Sequence, residues 1–257
     1  MAIGGTWSLL GVPVSRASVA DITARCVAKR DRDEAPVTVA CANLHSLVVA
    51  QRDSEFAAAL RGASVVTADG APLLLAGRFY GLEVGPRITG SDLFAAVMAA
   101  LDARAGRAMF VGSTPGVLRR MVARAASEFP AVAVETLSPP FGPPTDEQNA
   151  EIRDAINRFQ PDVVWVGMSA PKQEKWVARH ADRLRVGAVL SVGAVFDFYA
   201  GTVPRAPHWM RRAGLEWLHR LASEPRRLWR RYLISGPVFV SLVLRERWAR
   251  AKDGSMP

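Results

Sequence analysis

The amino-acid sequence predicts an α/β fold: a Rossmann-like parallel sheet core with flanking helices, passing into a basic helical C-terminal appendage. Three observations carry this reading. Over the first two hundred residues, short β-branched runs alternate with stretches of helical periodicity, as βα units require. Three of the runs finish alike, at Val111-Gly112-Ser113, Val166-Gly167-Met168 and Val192-Gly193-Ala194. The charge is lopsided: residues 203–257 hold 12 Lys/Arg against 4 Asp/Glu, whereas residues 1–202 hold 21 against 20. A boundary follows at the Gly201–Pro207 segment, with an α/β core over 1–202 and a basic, amphipathic helical appendage over 203–257.

The elements follow in order. Val37–Cys41 is a strand, and Leu44 to Arg61 reads as one helical stretch. Val65-Val66-Thr67 leads into Asp69-Gly70, and a helix continues to Tyr80. Ser91 or Asp92 caps a helix to Ala105. A strand over Ala108–Val111 ends at Gly112, a helix spans Val117–Phe129, and Val132–Val134 is a further strand. The proline-rich run from Ser138 to Pro144 is a loop, and Thr145 opens a helix to Phe159. Asp162–Val166 is a strand, Gln173–Arg183 a helix and Val189–Val192 the last strand. The tail is helical and pauses at Gly236-Pro237.

Composition narrows the class. The chain has 257 residues, 49% hydrophobic and 22% charged, which suits a folded domain with a sizeable core and not a disordered chain. Met1–Gly5 lacks a basic leader ahead of an apolar run, and no window offers the ~20 apolar residues of a spanning helix. Cys26 and Cys41 read as reduced cytosolic thiols. The four histidines show no metal-ligand spacing with the cysteines, so no metal site is expected. Asp31-Arg32-Asp33 has the form of a metal-binding Asp-x-Asp, but no strand leads into it and it reads as a solvated loop.

The strand-end glycines give the first functional signal. Ligands of open parallel sheets sit beyond the carboxyl ends of the strands. Glycine there lets a ligand approach backbone, and the next helix offers N–H groups to phosphate. Small residues also simply suit βα turns. None of the three matches the dinucleotide fingerprint Gly-x-Gly-x-x-Gly, which disfavours NAD. In Met168-Ser169-Ala170-Pro171-Lys172-Gln173-Glu174, Pro171 fits a first helical turn, with Ser169 or Ala170 at the cap. Lys172 and Gln173 then project from the positive helix end, or Lys172 and Glu174 are an ordinary solvated helix start. Asp69 closes a strand where a general base belongs, although a turn aspartate looks the same. Arg87 offers a fork to phosphate or carboxylate, or is a plain surface arginine.

The tail interleaves arginine with tryptophan at helical spacing. An apolar run over Val238–Leu244 is followed by Arg245, Arg247, Trp248 and Arg250. That pattern suits an interfacial helix on anionic lipid. A helix docked on the domain with its arginines in water, or a nucleic-acid-binding arm, fits it too.

Read together, these segments resemble the WecG/TagA/CpsF family of bacterial glycosyltransferases, from Leu10-Gly11-Val12-Pro13 to Tyr232-Leu233. The most specific stretches are Pro171-Lys172-Gln173-Glu174-Lys175-Trp176, Gly193-Ala194-Val195-Phe196-Asp197-Phe198, Arg205-Ala206-Pro207, Gly214 to Leu221 and Glu224-Pro225-Arg226-Arg227. The resemblance implies an inverting, metal-independent transfer without a cofactor. The donor would be a UDP-sugar such as UDP-N-acetylmannosamine, and the acceptor N-acetylglucosamine on undecaprenyl diphosphate. It implies a cytoplasmic protein, peripheral on the inner face of the plasma membrane, with no nucleic-acid partner and with self-association left open. Asp69 matches the family's base. Cys41, Asn43, Arg87, Gly112, Ser113, Gly167, Lys172, Gln173 and Gly193 fall at substrate-binding positions. Arg205, Arg220, Arg227 and Arg230 would reach the acceptor diphosphate at the membrane. The family commonly has Thr-x-Asn where this chain has Cys41-Ala42-Asn43, and a thiol is the weaker hydrogen-bond partner.

Overall fold

The computed structural model describes residues 5–29, 34–140, 142, 144–204, 207, 210, 218, 221–222, 229 and 233–252. An antiparallel hairpin opens the chain, β1 (Thr6–Leu9) paired with β2 (Val12–Ser15). The core is a six-stranded sheet in the order β4-β3-β8-β7-β5-β6, with every pair parallel. Its strands are β3 (Val37–Ala42), β4 (Val65–Ala68), β5 (Arg107–Gly112), β6 (Ala133–Leu137), β7 (Val163–Gly167) and β8 (Ala188–Ser191). β4, β7 and β8 are almost wholly buried, which is why they read as unbroken apolar runs and not as alternating ones.

Helices cover both faces. On one lie α1 (Val19–Val27), α5 (Gly90–Asp102), α6 (Pro115–Glu128) and α9 (Val195–Tyr199), burying Ile22, Phe94, Met121 and Phe196 against the sheet. Phe94 anchors this layer, with its ring 4.8 Å from that of Trp165 and 4.5 Å from that of Tyr199. The opposite face carries the hairpin, α2 (Leu44–Ala50), α3 (Ser54–Gly62), α4 (Ala71–Phe79), α7 (Asp146–Phe159), α8 (Lys172–His180) and a last helix, α10 (Ser235–Lys252).

Several expectations are refined. The stretch 44–61 is two helices, because Asp53 accepts from the Phe56 N–H and starts α3 afresh. Thr89, not Ser91 or Asp92, caps α5 in a reciprocal box with Asp92. Pro171 is itself the N-cap of α8 and follows a cis Ala170–Pro171 bond, so neither Ser169 nor Ala170 caps that helix. Gly236-Pro237 is no pause: it lies in the first turn of α10, where a missing N–H costs nothing.

α10 shares the core of residues 1–202. Phe239 and Val243 are buried with Leu47, Leu73 and Tyr80. Glu246 accepts from the Leu10 N–H at 2.8 Å and the Tyr80 hydroxyl at 3.0 Å, and pairs with Arg250. Arg250 also donates to the Ser8 carbonyl, 2.9 Å away. His45 Nδ1 and the Ser235 hydroxyl, 2.8 Å apart, tie the start of α10 to α2.

Candidate active site

The sheet order sets the site. β5 connects outward to β6, whereas β7 connects the other way to β8, so the chain diverges between the neighbours β5 and β7. At such a switch point the loops part and leave a crevice beyond the carboxyl ends of the strands. Gly112 and Gly167 are register partners at that point. The loops beyond them hold left-handed residues without the relief of glycine, Ser113 at φ 59° and Ser169 at φ 66°. The Ser113 carbonyl accepts from the Ser138 hydroxyl at 2.8 Å, which draws the loop after β6 to the same rim.

The glycines have three different reasons. A Cβ on Gly112, whose φ is +116°, would stand 2.6 Å from the Gly167 carbonyl oxygen. A Cβ on Gly167 would stand 2.6 Å from the Phe196 ring. These two are glycine because the protein itself fills the space, so close ligand approach is not needed to explain them. Gly193 differs. Its φ is +55°, and a Cβ there would meet only the Gln173 side-chain amide, at 3.6 Å.

Gln173 is the best-defined polar group of the crevice. It is 3% exposed, its amide nitrogen donates to the Glu174 carboxylate at 2.9 Å, and its Oε1 is buried without a hydrogen-bond partner among the described residues. Lys172, one residue earlier, is exposed. Glu174 is 5% exposed, contrary to the solvated helix start that was an alternative for this segment. Its signal in the sequence was the spacing 174, 177, 181, which puts it on the face of Val177 and Ala181. α8 is pinned from the side by Lys175, whose ammonium lies 2.6 Å from Asp53 and 3.3 Å from Glu55, and by Arg179, paired with Glu55. Trp176 fixes the other flank by donating to Asn149 at 2.9 Å.

Asp69 lies at the outer end of the same edge. Its N–H donates to the Ala42 carbonyl at 2.7 Å, extending the β3–β4 ladder by one rung and setting Asp69 beside Asn43. Arg87 is brought there by backbone: the Ile88 N–H donates to the Ala68 carbonyl at 3.1 Å, locking the 85–89 loop to the residue before Asp69. Gly85 makes that path passable, since a Cβ there would stand 2.5 Å from Arg16 Cα. Asn43 has a structural task of its own, its side-chain oxygen accepting from the His45 and Ser46 N–H groups to cap α2. Its amide donors take no part in that cap. Burial pushes the Cys41 thiol well above its usual range, and the Asp69 charge adds to this, followed by those of Glu174 and Asp92. Cys41, Asp69, Glu174 and Asp92 thus form one electrostatic neighbourhood, with the thiol protonated at neutral pH.

The sheet edge therefore runs Asp69, Asn43, Gly193, Gly167, Gly112 in strand order. With strands ~4.8 Å apart, Asp69 stands roughly 10 Å from Gly193 and about 19 Å from Gly112. Arg205, Arg220, Arg227 and Arg230, and the Asp31-Arg32-Asp33 run, lie outside the described residues. Among the described residues no group of three His, Cys, Asp or Glu is placed to hold a metal ion, and no helix is long and apolar enough to cross a membrane.

A parallel α/β sheet with a switch-point crevice, a buried amide at one helix start and a carboxylate at the strand edge belongs to the class of open α/β folds that bind ligands beyond the carboxyl ends of their strands. The model of the Glycosyl transferase WecG/TagA/CpsF family matches residues 7–253, and the chain belongs to that family. It is a glycosyltransferase. It is 30% identical over 203 residues to the N-acetylglucosaminyldiphosphoundecaprenol N-acetyl-beta-D-mannosaminyltransferase of Bacillus spizizenii, covering 79% of this chain and 77% of that protein. The protein of the same name from Bacillus subtilis is 27% identical over 195 residues, covering 76% of this chain and 74% of its own length. Membership decides in favour of the enzyme among the functions left open by the sequence.

Proposed function

We propose that the chain transfers N-acetylmannosamine or a related sugar from a UDP-sugar onto an N-acetylglucosamine carried by undecaprenyl diphosphate, with inversion and without a metal. Its product would feed a cell-surface polysaccharide or teichoic acid. The acceptor and the sugar come from what the two Bacillus relatives are named for. The single observation that carries the mechanism is the placement of Asp69, hydrogen-bonded across to Ala42 on the edge that also holds Gln173 and Gly193. A nucleotide-sugar is long enough to lie along that edge from the switch point to Asp69; a small metabolite is not.

In this mechanism Gln173 and the Gly193 turn hold the nucleotide half. Asp69 accepts the proton of the acceptor hydroxyl as its oxygen attacks the anomeric carbon, and the UDP leaves on the opposite face. Charge on the departing diphosphate is met by arginine, with Arg87 held beside Asp69 and Arg205, Arg220, Arg227 and Arg230 assigned to the acceptor diphosphate. The protein would work at the cytoplasmic membrane surface, where a lipid-linked acceptor is found.

The test is a panel of UDP-sugars incubated with a short-chain polyprenyl-diphosphate-N-acetylglucosamine, read by mass. One sugar should be transferred with α-to-β inversion, and Asp69→Asn should lower turnover by about 10²–10⁴-fold while donor binding persists. Near-native turnover by Asp69→Asn removes the base. Activity lost in EDTA and restored by magnesium overturns the metal-free step.

A further inference from the structure

We propose that the membrane-facing surface of this protein is a composite patch built from core helix α4 and the last helix α10, and that its occupant is an anionic lipid bilayer. The inference rests on the lipid-linked acceptor proposed above and adds which surface meets the lipid and how the cleft is aimed.

α10 shows two faces of opposite use. Phe239, Val243 and Glu246 turn inward to the core. Val240, Leu244 and Trp248, spaced i, i+4 and i+8, form a stripe on another side and are 56%, 51% and 72% exposed. α4 supplies the neighbouring strip. Leu75 is 62% and Phe79 43% exposed, one turn apart on the helix. The two strips are joined: the Arg247 guanidinium lies 4.1 Å above the Phe79 ring and donates to the Phe79 carbonyl. Leu233 and Ile234, ahead of α10, are also exposed. A soluble surface rarely gathers seven large apolar side chains on adjoining segments without a partner.

Charge selects the partner. α4 and α10 together carry five cations (Arg78, Arg245, Arg247, Arg250 and Lys252) and one acid, Glu246, which is engaged by Arg250, Leu10 and Tyr80. An apolar stripe with tryptophan and a cationic rim complements anionic headgroups over an acyl interior. A second copy fits poorly, since a two-fold interface would set this cationic rim against itself.

The patch also aims the cleft. α4 begins directly after Asp69-Gly70 and runs to Phe79. At 1.5 Å per residue, Leu75 lies only about 6 Å along the helix from Ala71, which Gly70 alone separates from Asp69. A face that sinks ~5–10 Å into the headgroup boundary therefore holds Asp69 near headgroup level, where the diphosphate of a lipid-linked acceptor sits.

The experiment is co-sedimentation of the full chain with phosphatidylcholine vesicles, with and without phosphatidylglycerol, in the absence of any sugar nucleotide. The wild type should pellet with the anionic vesicles only. Leu75→Glu and Leu244→Glu should each weaken partitioning by roughly tenfold or more, at unchanged melting temperature since both side chains are exposed. Arg120→Glu introduces the same acidic side chain at an exposed position of α6, away from the patch, and should have little effect. Undiminished binding by Leu75→Glu would show that α4 takes no part and overturn the composite surface. Equal pelleting with neutral vesicles overturns the charge argument. A dimer that Leu75→Glu or Leu244→Glu splits, with vesicle binding untouched, overturns the lipid assignment. Vesicle binding is read without turnover, so an enzyme that transfers no UDP-sugar would refute the proposed reaction and leave this result standing.

Discussion

Gly112→Ala probes the switch point directly. Alanine there must adopt a φ near +116° and place its methyl 2.6 Å from the Gly167 oxygen and 2.7 Å from the Gly167 carbonyl carbon. The conformation alone costs an L-residue about 1–3 kcal/mol. Overpacking against a neighbour that cannot rotate away adds about 1–3 kcal/mol, and the neighbour here is backbone in a central sheet pair. The sum is about 2–6 kcal/mol, which for a chain of this size lowers the melting temperature by roughly 4–24 °C. Relief comes only by parting β5 from β7, so UDP affinity should fall along with stability. Calorimetric melting and UDP titration of Gly112→Ala read both effects. The control is Gly116→Ala in the first turn of α6, where a Cβ meets nothing closer than 3.9 Å; it should be neutral or stabilising by up to about 1 kcal/mol. If Gly112→Ala melts within a degree of wild type, the strand ends are not in the contact described.

Three further outcomes follow from the packing and the charges. Phe239→Ala should cost about 3–5 kcal/mol in urea unfolding, because α10 is part of the core; a cost below about 1 kcal/mol would make it a detachable arm. Neither thiol should alkylate at pH 8 before unfolding: burial pushes Cys26 up to about 12, leaving roughly one thiolate in ten thousand, and Cys41 is raised further, so rapid stoichiometric labelling of the native chain would contradict the site. Lys175→Met should raise KM for the nucleotide-sugar more than it lowers kcat, because the clamp on α3 sets the Gln173 amide; a change in melting temperature with both constants unmoved would leave it purely structural. The clamp has a pH window. A hydrogen bond to Lys175 holds Asp53 below its ordinary 3.8, one to Arg179 holds Glu55 below its ordinary 4.5, and one to Asp53 holds Lys175 above its ordinary 10.5. The carboxylate contribution is present above those ordinary values and lost as pH falls through the lowered ones. The lysine contribution is present below 10.5 and lost as pH rises through the raised value. The stability gap between wild type and Lys175→Met should therefore hold steady near neutrality and close at both extremes.

Most of the sheet was legible because its strands are buried on both faces and so appear as compact β-branched runs between turn residues. The opening hairpin was not. Its signal is the alternation of Trp7, Leu9, Val12 and Val14 about a two-residue turn, but the turn is Leu10-Gly11, and Leu10 accepts a φ of 51° that leucine rarely takes. The break at Gln51–Asp53 was hidden because helical periodicity persists across it, and only the Asp53 cap marks it. In the site, position along the edge was readable: Asp69, Gly112, Gly167 and Gly193 all close a strand. What the glycines are for was not. That Gly167 yields to Phe196, and Gly112 to Gly167, depends on contacts between segments remote in sequence. Glu174 was missed for a related reason, since a charged residue in a first helical turn ordinarily faces water.

The position of α10 changes how the basic tail relates to the chemistry. One carboxylate, Glu246, accepts from Leu10 in the hairpin turn and from Tyr80, the residue that ends α4. α4 in turn starts at the residue after Asp69-Gly70, and the Asp69 N–H is itself fixed to β3. A chain of nine helical residues therefore connects the carboxylate at the sheet edge to the surface on which the last helix rests. Helices of this length are stiff, and α4 has Leu73 and Ala76 buried along its inner side, so it cannot tilt without disturbing the core. The consequence is that the cleft and the exposed apolar face move as one body. A catalytic core with an independent tether would have to search for its acceptor; if the patch docks on lipid as proposed, its rigid connection to Asp69 would set the height and tilt of the cleft in the same event.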